Sequence, residues 1–221
     1  MRRTRIKICC IGSLDEARLA IAEGADALGL VGAMPSGPGP IDDLAIAEIA
    51  AAVPPPVATF LLTSETEADG IIDHARRCRT NTLQLVDHLS HAVYARLRRE
   101  LPAVKLVQVI HVTGPEALDE ARAVAPEVDA ILLDSGRPHA PVRELGGTGR
   151  VHDWRISRQI VEAVPCPVFL AGGLKPENIG AAIAEVRPYG VDVCTGVRTD
   201  GRLDPAKLCA FIDAVARANL R

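Results

Sequence analysis

The stretch R-I-K-I-C-C-I-G-S-L-D-E-A, Arg5 to Ala17, holds a strand, a turn and the start of a helix. Ile6 and Ile8 alternate with Lys7 and Cys9, a period of two that places Lys7 and Cys9 on one face and Ile6, Ile8 and Cys10 on the other. Ser13-Leu14-Asp15-Glu16 then has the spacing of a capping box. What the turn lacks decides the fold. A nucleotide-binding doubly wound sheet wants G-x-G-x-x-G after its first strand, and C-C-I-G-S-L-D does not supply it.

The same grammar recurs to the end of the chain. Aliphatic or β-branched runs predict strands at Ile6–Cys10, Ala27–Val31, Val57–Leu62, Thr82–Val86, Leu106–His111, Ala130–Asp134, Val168–Ala171 and Val191–Val193. Ala-rich helical patterns alternate with them at Leu14–Glu23, Asp42–Ala51, Glu65–Arg77, Ser90–Arg99, Pro115–Ala125, Asp153–Val164, Pro176–Val186 and Pro205–Ala218. Ser64-Glu65-Thr66-Glu67 reads as a second capping box, and Gly24 and Gly190 fall where helices should have ended. About eight strand–helix units without a linker predict an α/β chain, a single (β/α)8 barrel domain over residues 1–221.

With 221 residues and 48% hydrophobic content the chain can fill one core. A net charge of −3 and the lack of a long basic run argue against a nucleic-acid backbone as the main partner. Arg96-Leu97-Arg98-Arg99 reads as the solvated last turn of a helix. Six cysteines without C-x-x-C fit neither a zinc site nor a disulfide framework, so neither metal nor cofactor is expected. No apolar run reaches spanning length and M-R-R-T-R lacks a signal-peptide core, so a cytoplasmic protein without a membrane partner is expected.

In a barrel of this kind, chemistry sits at the C-terminal ends of the strands, where Cys9, Asp134, Gly172-Gly173 and Cys194-Thr195-Gly196 all fall. Closure brings the eighth strand beside the first, so these scattered residues become one site. Glycines in the last two βα turns let backbone N–H groups approach an anion, which predicts phosphate binding at Gly172, Gly173, Cys194, Thr195 and Gly196. The connection from Asp134 to Asp153 contains Gly146-Gly147-Thr148-Gly149-Arg150. It is long enough to close over a ligand, and it lacks the Lys-Ser/Thr pair of a Walker loop.

Taken together the motifs resemble phosphoribosylanthranilate isomerase, a single-domain barrel enzyme of tryptophan biosynthesis. The likeness runs through K-I-C at Lys7–Cys9, E-G-A-D-A-L-G at Glu23–Gly29, Q-L at Gln84-Leu85 and L-L-D at Leu132–Asp134. It continues in G-G-T-G-x-x-x-D-W at Gly146–Trp154, L-A-G-G-L-x-P-E-N at Leu170–Asn178 and R-P-Y-G-V-D-V at Arg187–Val193. The resemblance implies an Amadori rearrangement of an aminoaldose to an aminoketose, with Cys9 as general base and Asp134 as general acid. Cys10 stands where the family usually has glycine and is expected to be packing. Lys7, Gln84, Gly147 and Thr148 are further substrate-side candidates, and the Lys7 ammonium is a candidate cause of a lowered Cys9 pKa.

Two segments depart from the family pattern. Gly39 stands in the place of an arginine that pairs with the anthranilate carboxylate, and Val86-Asp87 replaces a His-Gly pair after the fourth strand. Arg137, Arg143 and Arg150 are the candidates to supply the missing cation. The leading expectation is an isomerase acting on N-(5-phosphoribosyl)anthranilate. The alternatives are the same chemistry on another phosphorylated aminosugar, or a non-catalytic phosphosugar-binding barrel. The partner is a small phosphorylated sugar, and both monomer and homodimer remain open.

Overall fold

The computed structural model describes residues 3–136 and 151–220. Eight parallel strands close into a barrel in chain order. They are β1 Arg5–Ile8, β2 Ala27–Val31, β3 Ala58–Thr63, β4 Thr82–Leu85, β5 Lys105–His111, β6 Ala130–Asp134, β7 Val168–Leu170 and β8 Gly190–Val193. The helices between and after them are α1 Leu14–Glu23, α2 Asp43–Ala52, α3 Ala68–Cys78, α4 His91–Glu100, α5 Ala117–Val124, α6 Trp154–Ala163, α7 Ile179–Val186 and α8 Pro205–Asn219. β8 closes on β1 in a register that sets Lys7 opposite Asp192.

Every expected strand and helix is present, and the differences lie at their ends. Ser13 caps α1 by accepting from the Glu16 N–H at 3.2 Å, but Glu16 turns to the Gly12 N–H and to Arg198 instead of closing a box. The second expected box does not form. Ser64 donates its hydroxyl to the Ala33 carbonyl at 3.0 Å, and α3 starts only at Ala68. Gly190 is not a helix end either, since α7 has already stopped at Arg187 in the left-handed region. Gly190 opens β8 because a Cβ there would lie 2.6 Å from the Phe169 ring.

Two apolar shells follow from the period of two along each strand. Outward residues such as Ile8, Leu28, Leu61, Leu83, Ile110, Leu133 and Val191 are buried under the helices. Inward residues fill the barrel: Ala27, Val31, Phe60, Leu62, Val107, Val109, Ala130, Leu132 and Phe169. On the same inward parity β1, β4, β6 and β8 carry Lys7, Gln84, Asp134 and Asp192, all buried. A polar side chain at such a position needs a partner or a purpose.

After β8 the chain makes a 3-10 turn, Thr195–Val197, then a small hairpin of β9 Arg198–Thr199 and β10 Arg202–Leu203. Strands of two residues carry no readable period, so the hairpin was invisible in the sequence. It delivers Arg198, which holds Glu16 at 3.0 Å and donates to the carbonyls of Cys9 and Cys10. The end of β1 is thereby fastened to the end of β8. Among the described residues no helix is long and apolar enough to cross a membrane.

Candidate active site

A cavity opens at the C-terminal ends of the strands, lined by Cys9, Gln84, Asp134, Gly172, Gly173, Asp192, Cys194 and Thr195, with Met34, Ser36, Gly37 and Pro38 on the β2 side. It gathers residues from β1, β4, β6, β7 and β8 at one mouth.

Cys9 is buried, and its N–H continues the ladder to the Val193 carbonyl at 2.8 Å. Its sulfur and the Lys7 ammonium occupy one space above Gly29, where a Cβ would lie 2.7 Å from Cys9 Sγ and 2.8 Å from Lys7 Nζ. The alternation of Lys7 and Cys9 therefore holds. The expected lowering of the thiol pKa does not. Burial pushes Cys9 up to about 11, against the pull of Lys7.

Lys7 is fully buried and sits below the cavity rather than on its wall. Its Nζ lies 2.9 Å from both carboxylate oxygens of Asp192 and 5.3 Å from the centre of the Phe60 ring. Asp192 was not singled out from the sequence. The available signal was an acid at an inward position of the strand that closes onto Lys7.

Asp134 stands at the end of β6, where its Oδ1 accepts from the Ser135 N–H at 2.7 Å. Burial raises its pKa above the ordinary carboxylate value, opposed by the Ser135 hydrogen bond and by the nearby His111. Gln84 Oε1 is buried with no hydrogen-bond partner and belongs to a residue of the cavity wall.

At Cys10 the strand pattern ends. The residue has φ +61°, the left-handed region that favours glycine, and this swings its side chain to the cavity side. It forms a disulfide with Cys194, with the two Cα atoms 5.9 Å apart. This corrects the expectations of no disulfide and of a merely packed Cys10. Cysteine spacing along the chain gave no hint, because the pair joins the first strand end to the eighth.

The two glycine turns divide their work. Gly172 and Gly173 have φ of +82° and +63°, and both line the cavity with Cys194 and Thr195. Gly196 lets the turns touch, since a Cβ there would lie 2.0 Å from the Leu174 carbonyl oxygen. Gly39 has φ +89°, and a Cβ would meet Cys10 Cβ at 2.6 Å. That backbone belongs to glycine, so a long cation cannot be restored at position 39 without moving β1. Gly147 and Thr148, and Arg137, Arg143 and Arg150, lie outside the described residues.

Away from the cavity, Asp43, His74 and Cys78 bring possible metal-ligand atoms within 4.8 Å of one another. His74 is hydrogen-bonded to Thr63 at 3.0 Å on one ring nitrogen and meets Asp43 at 3.1 Å on the other, which joins α2 and α3 to β3.

A family model described as N-(5'phosphoribosyl)anthranilate (PRA) isomerase matches residues 6–214. An N-(5'-phosphoribosyl)anthranilate isomerase of Desulforudis audaxviator is 41% identical over 97% of this chain and 99% of its own. The Haloferax volcanii protein of the same name is 39% identical over 97% and 94%. Among solved structures, the phosphoribosyl anthranilate isomerase of Thermus thermophilus superposes with a TM-score of 0.81 at 28% identity, covering 99% of this chain and 100% of that one. A phosphoribosyl anthranilate isomerase in complex with reduced 1-(o-carboxyphenylamino)-1-deoxyribulose 5-phosphate gives 0.78 at 26% identity, covering 97% and 99%.

Proposed function

The chain belongs to the N-(5'-phosphoribosyl)anthranilate isomerase family, and we propose that Cys9 and Asp134 are the general base and general acid of its aldose-to-ketose rearrangement. The reaction is an Amadori isomerisation in tryptophan biosynthesis, and its small-molecule partner is a phosphorylated sugar carrying an aromatic amine.

The observation that carries the assignment is the convergence of Cys9, Asp134 and the Gly172-Gly173 turn on one cavity from strands far apart in the chain. Asp134 donates a proton to the ring oxygen of the ribose, and the C1′–O bond opens as the amine lone pair forms a Schiff base. An acid at the rim must hold its proton until that moment, and burial shifts the Asp134 carboxyl towards that form. Cys9, as thiolate, then removes the C2′ proton that the Schiff base has made acidic. The enolamine collapses to the aminoketose.

The sugar phosphate rests against Gly172, Gly173, Cys194 and Thr195. Gly172 and Gly173 both line the cavity at positive φ, and glycine there lets a backbone N–H come close to an anion. Gln84 Oε1 accepts a hydrogen bond from a substrate N–H or O–H, which gives its buried oxygen a partner. The test is complementation of a tryptophan auxotroph lacking this isomerase. Growth is expected, and no growth with soluble, folded protein would count against the reading. A crystal grown with sulfate should show the anion at the β7 and β8 turns.

A further inference from the structure

The mechanism above leaves one buried ion pair unused and one difficulty unsolved. Cys9 must act as a base from a site whose burial favours the neutral thiol. The nearest cation is the Lys7 ammonium, itself fully buried, and a buried ammonium without a counter-charge gives up its proton. Asp192 supplies the counter-charge. Its two oxygens each lie 2.9 Å from Lys7 Nζ, and the ladder register fixes this contact because Lys7 and Asp192 are paired across the β1–β8 seam.

We propose, on the reading that Cys9 is the base, that Asp192 is a positioning residue of the isomerisation, acting through Lys7 to keep an ammonium charged and aimed at the Cys9 sulfur.

Three observations converge on this. An ammonium has three N–H donors, and the two carboxylate contacts leave one for the sulfur that shares its space above Gly29. The Phe60 ring lies under the cation and Phe169 meets that ring edge to face, so the pair is sealed from below. Burial alone would lower the Lys7 pKa, yet it stands above the ordinary lysine value, with Asp192 the largest cause raising it.

The other charged or titratable groups near this cluster, among the described residues, are Asp134 from β6 and His111 from β5. Arg198 is hydrogen-bonded to Cys9 at its carbonyl and paired with Glu16. Asp192 also places negative charge near Cys9, which by itself opposes the thiolate. The two effects have opposite signs, so one experiment separates them.

Because the thiol titrates well above neutral pH, at any one pH a variant that changes the thiolate fraction changes turnover and Cys9 alkylation by the same factor. The experiment measures kcat and KM, and the rate of Cys9 modification by iodoacetamide between pH 7 and 9.5, assigned by peptide mass. It compares the wild type with Asp192→Asn, Asp192→Glu, Lys7→Met and the double variant Lys7→Met/Asp192→Asn. A shift of one to two pKa units lowers the thiolate fraction roughly 10- to 100-fold. In Asp192→Asn, kcat and the alkylation rate are expected to fall together by that factor while KM holds.

Lys7→Met should fall equally, the double variant should be no worse than either single, and Asp192→Glu should recover most of the loss. Faster or unchanged alkylation in Asp192→Asn would overturn the proposal, as would a fall in kcat that alkylation does not share. If Asp192→Asn does not fold, Lys7→Met against Asp192→Glu carries the same comparison, and equal alkylation in those two would overturn it. Turnover surviving in Cys9→Ala would instead refute the base assignment. The alkylation profiles would still report whether Asp192 controls the thiol.

Discussion

In the proposed mechanism the two sides of the barrel mouth have opposite tasks, and burial acts on both. On the β6 side Asp134 is buried, and burial favours its neutral carboxyl, the form a general acid needs. On the β1 side Cys9 is buried as deeply, and burial favours the neutral thiol, the form a base cannot use. The difference in construction follows. The acid side needs no further charge, whereas the base side carries Lys7 and Asp192 beneath the sulfur. Burial arms an acid and disarms a base.

The comparison breaks first at the reacting groups. Cys9→Ala and Asp134→Asn are each expected to lower kcat by roughly 10²- to 10⁴-fold, the usual worth of a positioned proton-transfer group. Comparable binding of inorganic phosphate by both variants would show that the site is intact. Next in size is Gly196→Ala. Its Cβ would enter the Leu174 carbonyl, so the β7 and β8 turns must separate. A loss of about 1–3 kcal/mol in denaturant unfolding is expected from such overpacking, together with a higher KM for the phosphorylated substrate.

Gly39→Arg is expected to destabilise by a similar ~1–3 kcal/mol and to leave turnover no higher, because position 39 has φ +89° and faces Cys10. A gain in kcat/KM from that variant would show that the β2–α2 loop can re-form around a side chain. The smallest effect on chemistry belongs to Cys10→Ala, which should retain turnover. It removes the bridge to Cys194, so unfolding without reductant should show a loss of about 2–4 kcal/mol that disappears when the wild type is reduced.

The barrel was legible in the sequence because each unit carries its own period, and a closed sheet follows from eight of them. Asp134 could be placed because it ends an apolar run, and Cys9 because it falls near the end of the first strand on the face it shares with Lys7. Cys10 could not, since alternation is a rule for extended backbone and Cys10 adopts φ +61°. The Cys10–Cys194 bridge and the Lys7–Asp192 pair each span most of the chain, and only closure of β8 on β1 makes them neighbours. Gly39 reads as a missing arginine along the chain and as an obligatory glycine in space. The direction of the Cys9 shift was misjudged for a related reason: a lysine two residues away is visible in sequence, whereas the depth of burial that outweighs it is not.

The most direct test of the contrast between acid and base is the pH dependence of kcat/KM for the wild type. If Asp134 holds its proton above the ordinary carboxylate range and Cys9 ionises only near about 11, the active form pairs an ionised base with a protonated acid. The product of those two fractions rises with pH up to the Asp134 ionisation and is then level. A plateau is therefore expected on the alkaline side, with no descending limb until the Cys9 ionisation at about 11 is approached. A descending limb centred near the ordinary thiol value of about 8.5 would contradict it, because the Cys9 thiol would then be ionising as if it were not buried.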